Sequence, residues 1–155
     1  MRKLSLIFVI LVLSIFAVAS DDAQILSGKT MVGVSGPYVG TTSPIRDIGG
    51  GGVPWRIAEG KFELESNGRL EVKVRGLVVA SSGVNPVKFF RAVLSCQIID
   101  GMGRPAILNV NTDDFPATAA GDSDIEAQIT IPSPCFAPIV FVTSPNGRWF
   151  AVSGF

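Results

Sequence analysis

Acidic side chains are the groups in this 155-residue chain best spaced to do chemistry. Asp113 and Asp114, then Asp122, Asp124 and Glu126, bracket the connection from Phe115 to Gly121. Carboxylates from two loops at one end of a β domain can hold calcium through oxygen ligands. Two of them could instead serve as acid and base on a glycan. The plainer expectation is that Asp124 and Glu126 form the solvent face of an alternating strand, with Asp122 in the turn before it. A second constellation is Arg46, Asp47 and Trp55, on either side of the run Gly49-Gly50-Gly51-Gly52. There Trp55 would act as a stacking platform beside two charges. Burial of the indole under the loop is the plainer expectation, as an aromatic of that size contributes most when it is covered. Trp149 lies within an apolar run and reads as core, and Tyr38 is the remaining aromatic candidate for stacking on a ligand.

Other chemistries are excluded by residue type. The chain has no histidine, which removes Ser-His-Asp and Cys-His machinery and histidine-ligated zinc or copper. Its two cysteines, Cys96 and Cys135, are expected to be bonded to each other, leaving no thiolate nucleophile. Gly101-Met102-Gly103-Arg104-Pro105-Ala106 has the glycine spacing of a dinucleotide fingerprint and follows a strand, but Pro105 and the strand-like Ile107-Leu108 deny it the helix that would hold a pyrophosphate. A turn is the better reading. There is no GxxxxGK phosphate loop, and Gly33-Val34-Ser35-Gly36 lacks the spacing of a nucleophile elbow. No cofactor is implied beyond the calcium alternative.

The N-terminus reads as an export signal. Arg2 and Lys3 precede an apolar run from Leu4 to Val18, and small residues stand at Ala17 and Ala19. These are the charged, apolar and cleavage regions of a secretory signal peptide, here residues 1–20, with the cut after Ala19 or Ser20. An uncleaved anchor wants about 20 apolar residues, and this run is shorter. No stable membrane span is expected after cleavage. Loss of Arg2 and Lys3 from the 13 basic residues leaves 11 against 13 acidic ones, a net charge of about −2. A nucleic-acid partner, which needs a basic face, is therefore not expected. In an exported protein two cysteines read as one disulfide. Closing a loop of this length contributes roughly 4 kcal/mol in the chain-entropy model.

Residues 21–155 are of a length for one domain, and strand signals dominate them. Short runs rich in Val, Ile, Phe and Thr alternate with Gly and Pro, and no window carries a 3.6-residue apolar period. Residues 61–65 and 69–75 pair as a hairpin whose register parity decides. A two-residue turn at Asn67-Gly68 would set Leu64 opposite Glu71. A three-residue loop at Ser66-Asn67-Gly68 sets Leu64 opposite Leu70 and Phe62 opposite Val72, with Gly68 in the left-handed position. A second hairpin, 139–143 with 149–153, turns at Ser144-Pro145-Asn146-Gly147. Its strands are apolar on both faces, which places them centrally or under a loop. Residues 92–99, 107–110 and 125–131 read as further strands, with Cys96 facing the core. Cys135 lies in Pro132-Ser133-Pro134-Cys135, outside any sheet interior. Weaker strands fall at 30–34 and 55–58, the latter open to joining 61–65 through a bulge at Gly60. Residues 35–54 break the rhythm. A loop of that length is expected either to carry function or to pack flat across a sheet on its glycines.

Three stretches bear a resemblance when taken together. One is Ser43-Pro44-Ile45-Arg46-Asp47-Ile48 with the glycine run and Val53-Pro54-Trp55. Another is Phe115-Pro116-Ala117-Thr118 with Gly121-Asp122-Ser123-Asp124-Ile125-Glu126-Ala127. The third runs from Pro132-Ser133-Pro134-Cys135 to Ser144-Pro145 and closes on Trp149-Phe150. They resemble a group of small exported bacterial proteins with no assigned activity. The likeness spans most of the mature chain, implies a complete domain and transfers no catalytic residue. The expectation is an all-β protein, an antiparallel sandwich or small barrel of about seven to nine short strands behind an N-terminal signal helix. It is expected to be secreted and non-enzymatic, binding an unknown extracellular ligand or surface or lending structure, with Arg46, Asp47 and Trp55 as the first contacts. The alternatives are a calcium- or carboxylate-dependent site on extracellular carbohydrate, using Asp113, Asp114, Asp122 and Asp124, and a small barrel carrying an apolar ligand.

Overall fold

The computed structural model describes residues 23–154; the expected signal helix lies outside them. The described chain is all β, with twelve strands and a single 3₁₀ turn at Gly36–Tyr38. Seven to nine strands were expected. The additional ones include β1 (Gln24–Gly28), β6 (Val78–Val79) and β9 (Phe115–Pro116). Two of these are only two residues long, and β1 buries none of its residues fully. Neither type leaves an alternating pattern to read.

Alternation is cleanest in β4 (Glu59–Glu65) and β5 (Arg69–Arg75), where every second side chain is buried. Leu64 faces Leu70 and Phe62 faces Val72, as parity requires. Gly68 closes the loop at φ 92°, and the Arg69 N–H donates to Asn67 Oδ1 at 2.7 Å. Gly60 pairs with Val74 in unbroken register, so the expected bulge there does not form. Instead β3 (Trp55–Arg56) leaves to pair with β6.

β1, β4, β5 and β10 (Ser123–Gln128) make a four-stranded antiparallel sheet in that order. The larger sheet runs β2 (Met31–Gly33), β12 (Trp149–Ser153), β11 (Phe136–Thr143), β7 (Phe89–Ile99) and β8 (Pro105–Asn111), with β9 paired to one end of β7. Among the described residues both sheets end on open edges and no barrel closes, so the barrel alternative is corrected. One core joins them, with Phe62, Leu64, Val72 and Ile125 from the smaller sheet and Leu94, Val140, Val142 and Ala151 from the larger. Met31 of β2 packs where a side chain on Gly60 of β4 would otherwise lie. That contact marks the parity of Met31, Ala151, Val142 and Leu94 as the inner face of the larger sheet.

Cys96 of β7 is bonded to Cys135, which immediately precedes β11, with Cα atoms 4.9 Å apart and a sequence separation of 39. Cys96 is fully buried. The bond therefore ties a core strand to the lead of its neighbour.

Candidate functional site

Residues 35–54 determine what the first candidate constellation can do. Val93, Ser95, Phe141 and Thr143 have outer-face parity in the larger sheet, yet none is more than 2% exposed. The loop is what covers them. Tyr38 lies 6.5 Å from Trp149, which in turn lies 6.0 Å from Phe141, and Ile48 is buried in the same core. The glycine run follows the edge of β12: Gly51 N–H donates to the Trp149 carbonyl at 2.9 Å, and Trp149 N–H donates to Gly49 at 3.0 Å. A Cβ on Gly50 would strike the Tyr38 carbonyl oxygen and the Val34 side chain. Glycine is present because backbone passes against backbone.

Arg46 and Asp47 sit at the tip of this cover. Ile45 and Ile48 exchange both backbone hydrogen bonds, at 3.1 and 2.9 Å, closing a two-residue turn with positive φ at both centres, 52° for Arg46 and 65° for Asp47. Asn-Gly is the usual choice for such a turn, and a side chain at φ > 0 costs about 1–3 kcal/mol. The turn is held down by long-range bonds. Arg46 Nη2 donates to the Ala137 carbonyl at 2.8 Å, and Asn109 Nδ2 donates to the Arg46 carbonyl at 2.9 Å. Ala137 is the third non-glycine residue at positive φ, 42°. Ser95 stands directly opposite Asn109 in the β7–β8 ladder. Ser95 Oγ, Asn109 Oδ1 and Arg46 Nη1 are buried without a protein partner. This polar cluster under the turn was not foreseen. Asn109 and Ser95 carry no local signal, because only strand pairing and the returning loop bring them to Arg46.

Trp55 does not join that group as an open platform. It is 5% exposed and stacks on Phe150, with ring centroids 3.9 Å apart and planes 18° from parallel. Phe150 meets the inner-face Phe90 edge-on at 6.0 Å. The indole is thus part of the core, while Arg46 and Asp47 lie on the far side of the sheet.

The acidic candidates are dispersed among separate partners. Asp114 Oδ1 accepts from Arg91 Nε at 2.9 Å and Nη2 at 2.7 Å. Asp124 takes Arg75 Nη2 on both oxygens, at 2.7 and 3.1 Å, and this bond leads the causes that raise the Arg75 pKa above its ordinary value. Asp122 Oδ1 accepts from the Gly76 N–H at 2.9 Å. Asp113 is exposed, and its carbonyl accepts from Thr112 Oγ1. Among the described residues no three His, Cys, Asp or Glu side chains are placed to hold one metal ion. Asp124 and Glu126 do project from the solvent face of β10, where Arg69 bridges Glu126 at 2.8 Å and also reaches Glu71.

Among the described residues, recesses open on the surface at two places of note. One, of about 250 Å³, lies on the polar face beside β1 and is bordered by Lys29, Lys61, Lys73, Glu63 and Glu71. The other, of about 380 Å³, lies at the end of the β7–β8 hairpin and is lined by Ile98, Ile99, Pro105, Ala106, Ile107, Gln97 and Phe136. The fingerprint-like glycines form the hairpin turn beyond it. Asp100 Oδ1 accepts from the backbone N–H groups of Met102 and Arg104, both at 2.9 Å, and Gly103 has φ 76°. Those bonds to Arg104 hold the Asp100 carboxyl below its ordinary range.

No helix among the described residues is long and apolar enough to cross a membrane. Comparison with protein-family models, with curated proteins and with solved structures finds no match to this chain.

Proposed function

We propose that the chain is a secreted, non-enzymatic β-sandwich whose role outside the cell is binding or structural. The observation that carries this reading is the β7–β8 end of the larger sheet. There Ile99 and Phe136, on one face of the sheet, are 47 and 54% exposed and Met102 at the hairpin tip is 73% exposed, close to a disulfide that braces the strands beneath. Apolar side chains grouped at a rigid end favour contact with another surface. The engagement of Asp114, Asp122 and Asp124 by Arg91, the Gly76 amide and Arg75 points the same way, because a carboxylate held by an arginine is poorly placed to move protons. The disulfide supports an oxidising compartment.

A glycan and metabolite screen on the protein recovered from an expressing host, with and without calcium, tests this reading. Binding without turnover, lowered by Phe136→Ser, is the expected result, together with no free thiol in the native material. Turnover of a glycan that is lost in Asp113→Ala and Asp122→Ala would replace this reading with the carboxylate one. A calcium-dependent rise in Tm that disappears in Asp122→Ala would favour the calcium alternative.

A further inference from the structure

The open edges of the two sheets are not equally protected. Exposed edge strands invite pairing with another chain, and proteins blunt them with charge, bulges or short length. β1 carries a register break between Gln24 and Leu26 and leads into Lys29. β10 presents Asp124 and Glu126, and β2 is three residues long. β8 has none of these devices. Its seven residues, Pro-Ala-Ile-Leu-Asn-Val-Asn, carry no charge, pair with β7 in unbroken register, and place proline only at the first position. Among the described residues, its backbone bonds to β7 alone.

The strand is also complementary to itself. Antiparallel pairing of all seven residues with a second copy centres on Leu108. It sets Ala106 against Val110 and Leu108 against its own equivalent, all on one face, with Ile107 beside Asn109 on the other. No like charges meet. At each end, Arg104 of one copy arrives beside Thr112 and the exposed Asp113 of the other, so the flanking charges are of opposite sign.

We infer that β8 is a self-association edge. Two copies of this chain pair β8 antiparallel about a two-fold axis at Leu108 and join their larger sheets into one. This inference rests on reading the protein as one that works by contact, and it names the partner as a second copy.

Light scattering across a concentration series, on protein expressed from the full reading frame, reads the association directly. A dimer is expected. Leu108→Lys should weaken it at least about tenfold, which corresponds to ~1.4 kcal/mol. Ile25→Lys, a change of the same kind on the β1 edge at a residue of similar exposure (49%), should leave it intact. Both native cysteines are bonded to each other, so one introduced thiol reports geometry. Leu108→Cys should form a covalent dimer on oxidation, far faster than Met102→Cys at the hairpin tip. A protein that stays monomeric, a dimer indifferent to Leu108→Lys, or cross-linking no faster at 108 than at 102 overturns the inference. A monomer that still takes a ligand in the screen above overturns self-association alone and leaves the binding reading standing.

Discussion

The two large sheets are made of similar strands and differ in what lies over their outer faces. In the four-stranded sheet, inward Phe62, Leu64, Leu70, Val72 and Val74 alternate with outward charge, and water covers the far side. In the larger sheet, residues 92–96 of β7 are buried without alternation, as are residues 139–144 in and after β11. Residues 35–54 make the difference by giving the outer face a second apolar layer. A long loop in this protein is therefore structural cover, and Gly49, Gly50 and Gly51 mark its close approach to neighbouring chain.

The largest expected effect is in that second layer. Phe141→Ala should destabilise by about 3–5 kcal/mol, the range for a buried aromatic deleted from a core. Urea unfolding would measure it, and a loss under about 1 kcal/mol would mean that the loop does not pack as a core. Gly50→Ala comes next, at about 1–3 kcal/mol for forced overpacking. Its signature should be local, with Trp149 fluorescence shifting as the cover lifts while the β4–β5 hairpin is untouched.

The polar sheet should respond more weakly and in a salt-dependent manner. Glu63, Glu71 and Glu126 stand in one cross-strand row, and like charges placed opposite one another are unfavourable. Arg69 relieves them by reaching Glu71 and Glu126, and the bond to Glu126 leads the causes that raise its own pKa. Arg69→Ala should lower Tm at low ionic strength and much less at high, because exposed pairs are screened. An effect that ignores salt would place the role of Arg69 in packing instead.

The smallest effect belongs to the β7–β8 turn. The Asp100 carboxyl has a folded pKa below its unfolded one. Its contribution is therefore present above the unfolded value and is lost as pH falls through the folded one. In the native protein the protection of the Met102 and Arg104 amides, taken relative to the intrinsic exchange rate at each pH, should fall in acid as their acceptor is protonated. Asp100→Asn should flatten that acid dependence; an unchanged profile would show that the carboxyl does not set it.

Much of this arrangement was legible in the residues. Parity settled the Leu64–Leu70 register because a slip of one would have put Glu71 in the core. Cys96 and Cys135 were the only cysteines available to pair, and Trp149 lay in a run apolar on both faces. What failed was whatever depends on distant chain. Burial was the better expectation for Trp55, which is 5% exposed; what closeness in sequence could not show is that the glycine run carries it and Arg46 to opposite sides of a sheet. Arg46-Asp47 gave no hint of a tight turn, since that conformation is imposed from Ala137 and Asn109. β6 and β9 were too short to show any period.

Native-state hydrogen exchange tests the double-sided burial of the larger sheet most directly. The slowest amides should lie in β7, β11 and β12, with those of Val34, Gly51 and Trp55 protected alongside them. Rapid exchange at those three positions, or β4 and β5 outlasting β7 and β11, would contradict it.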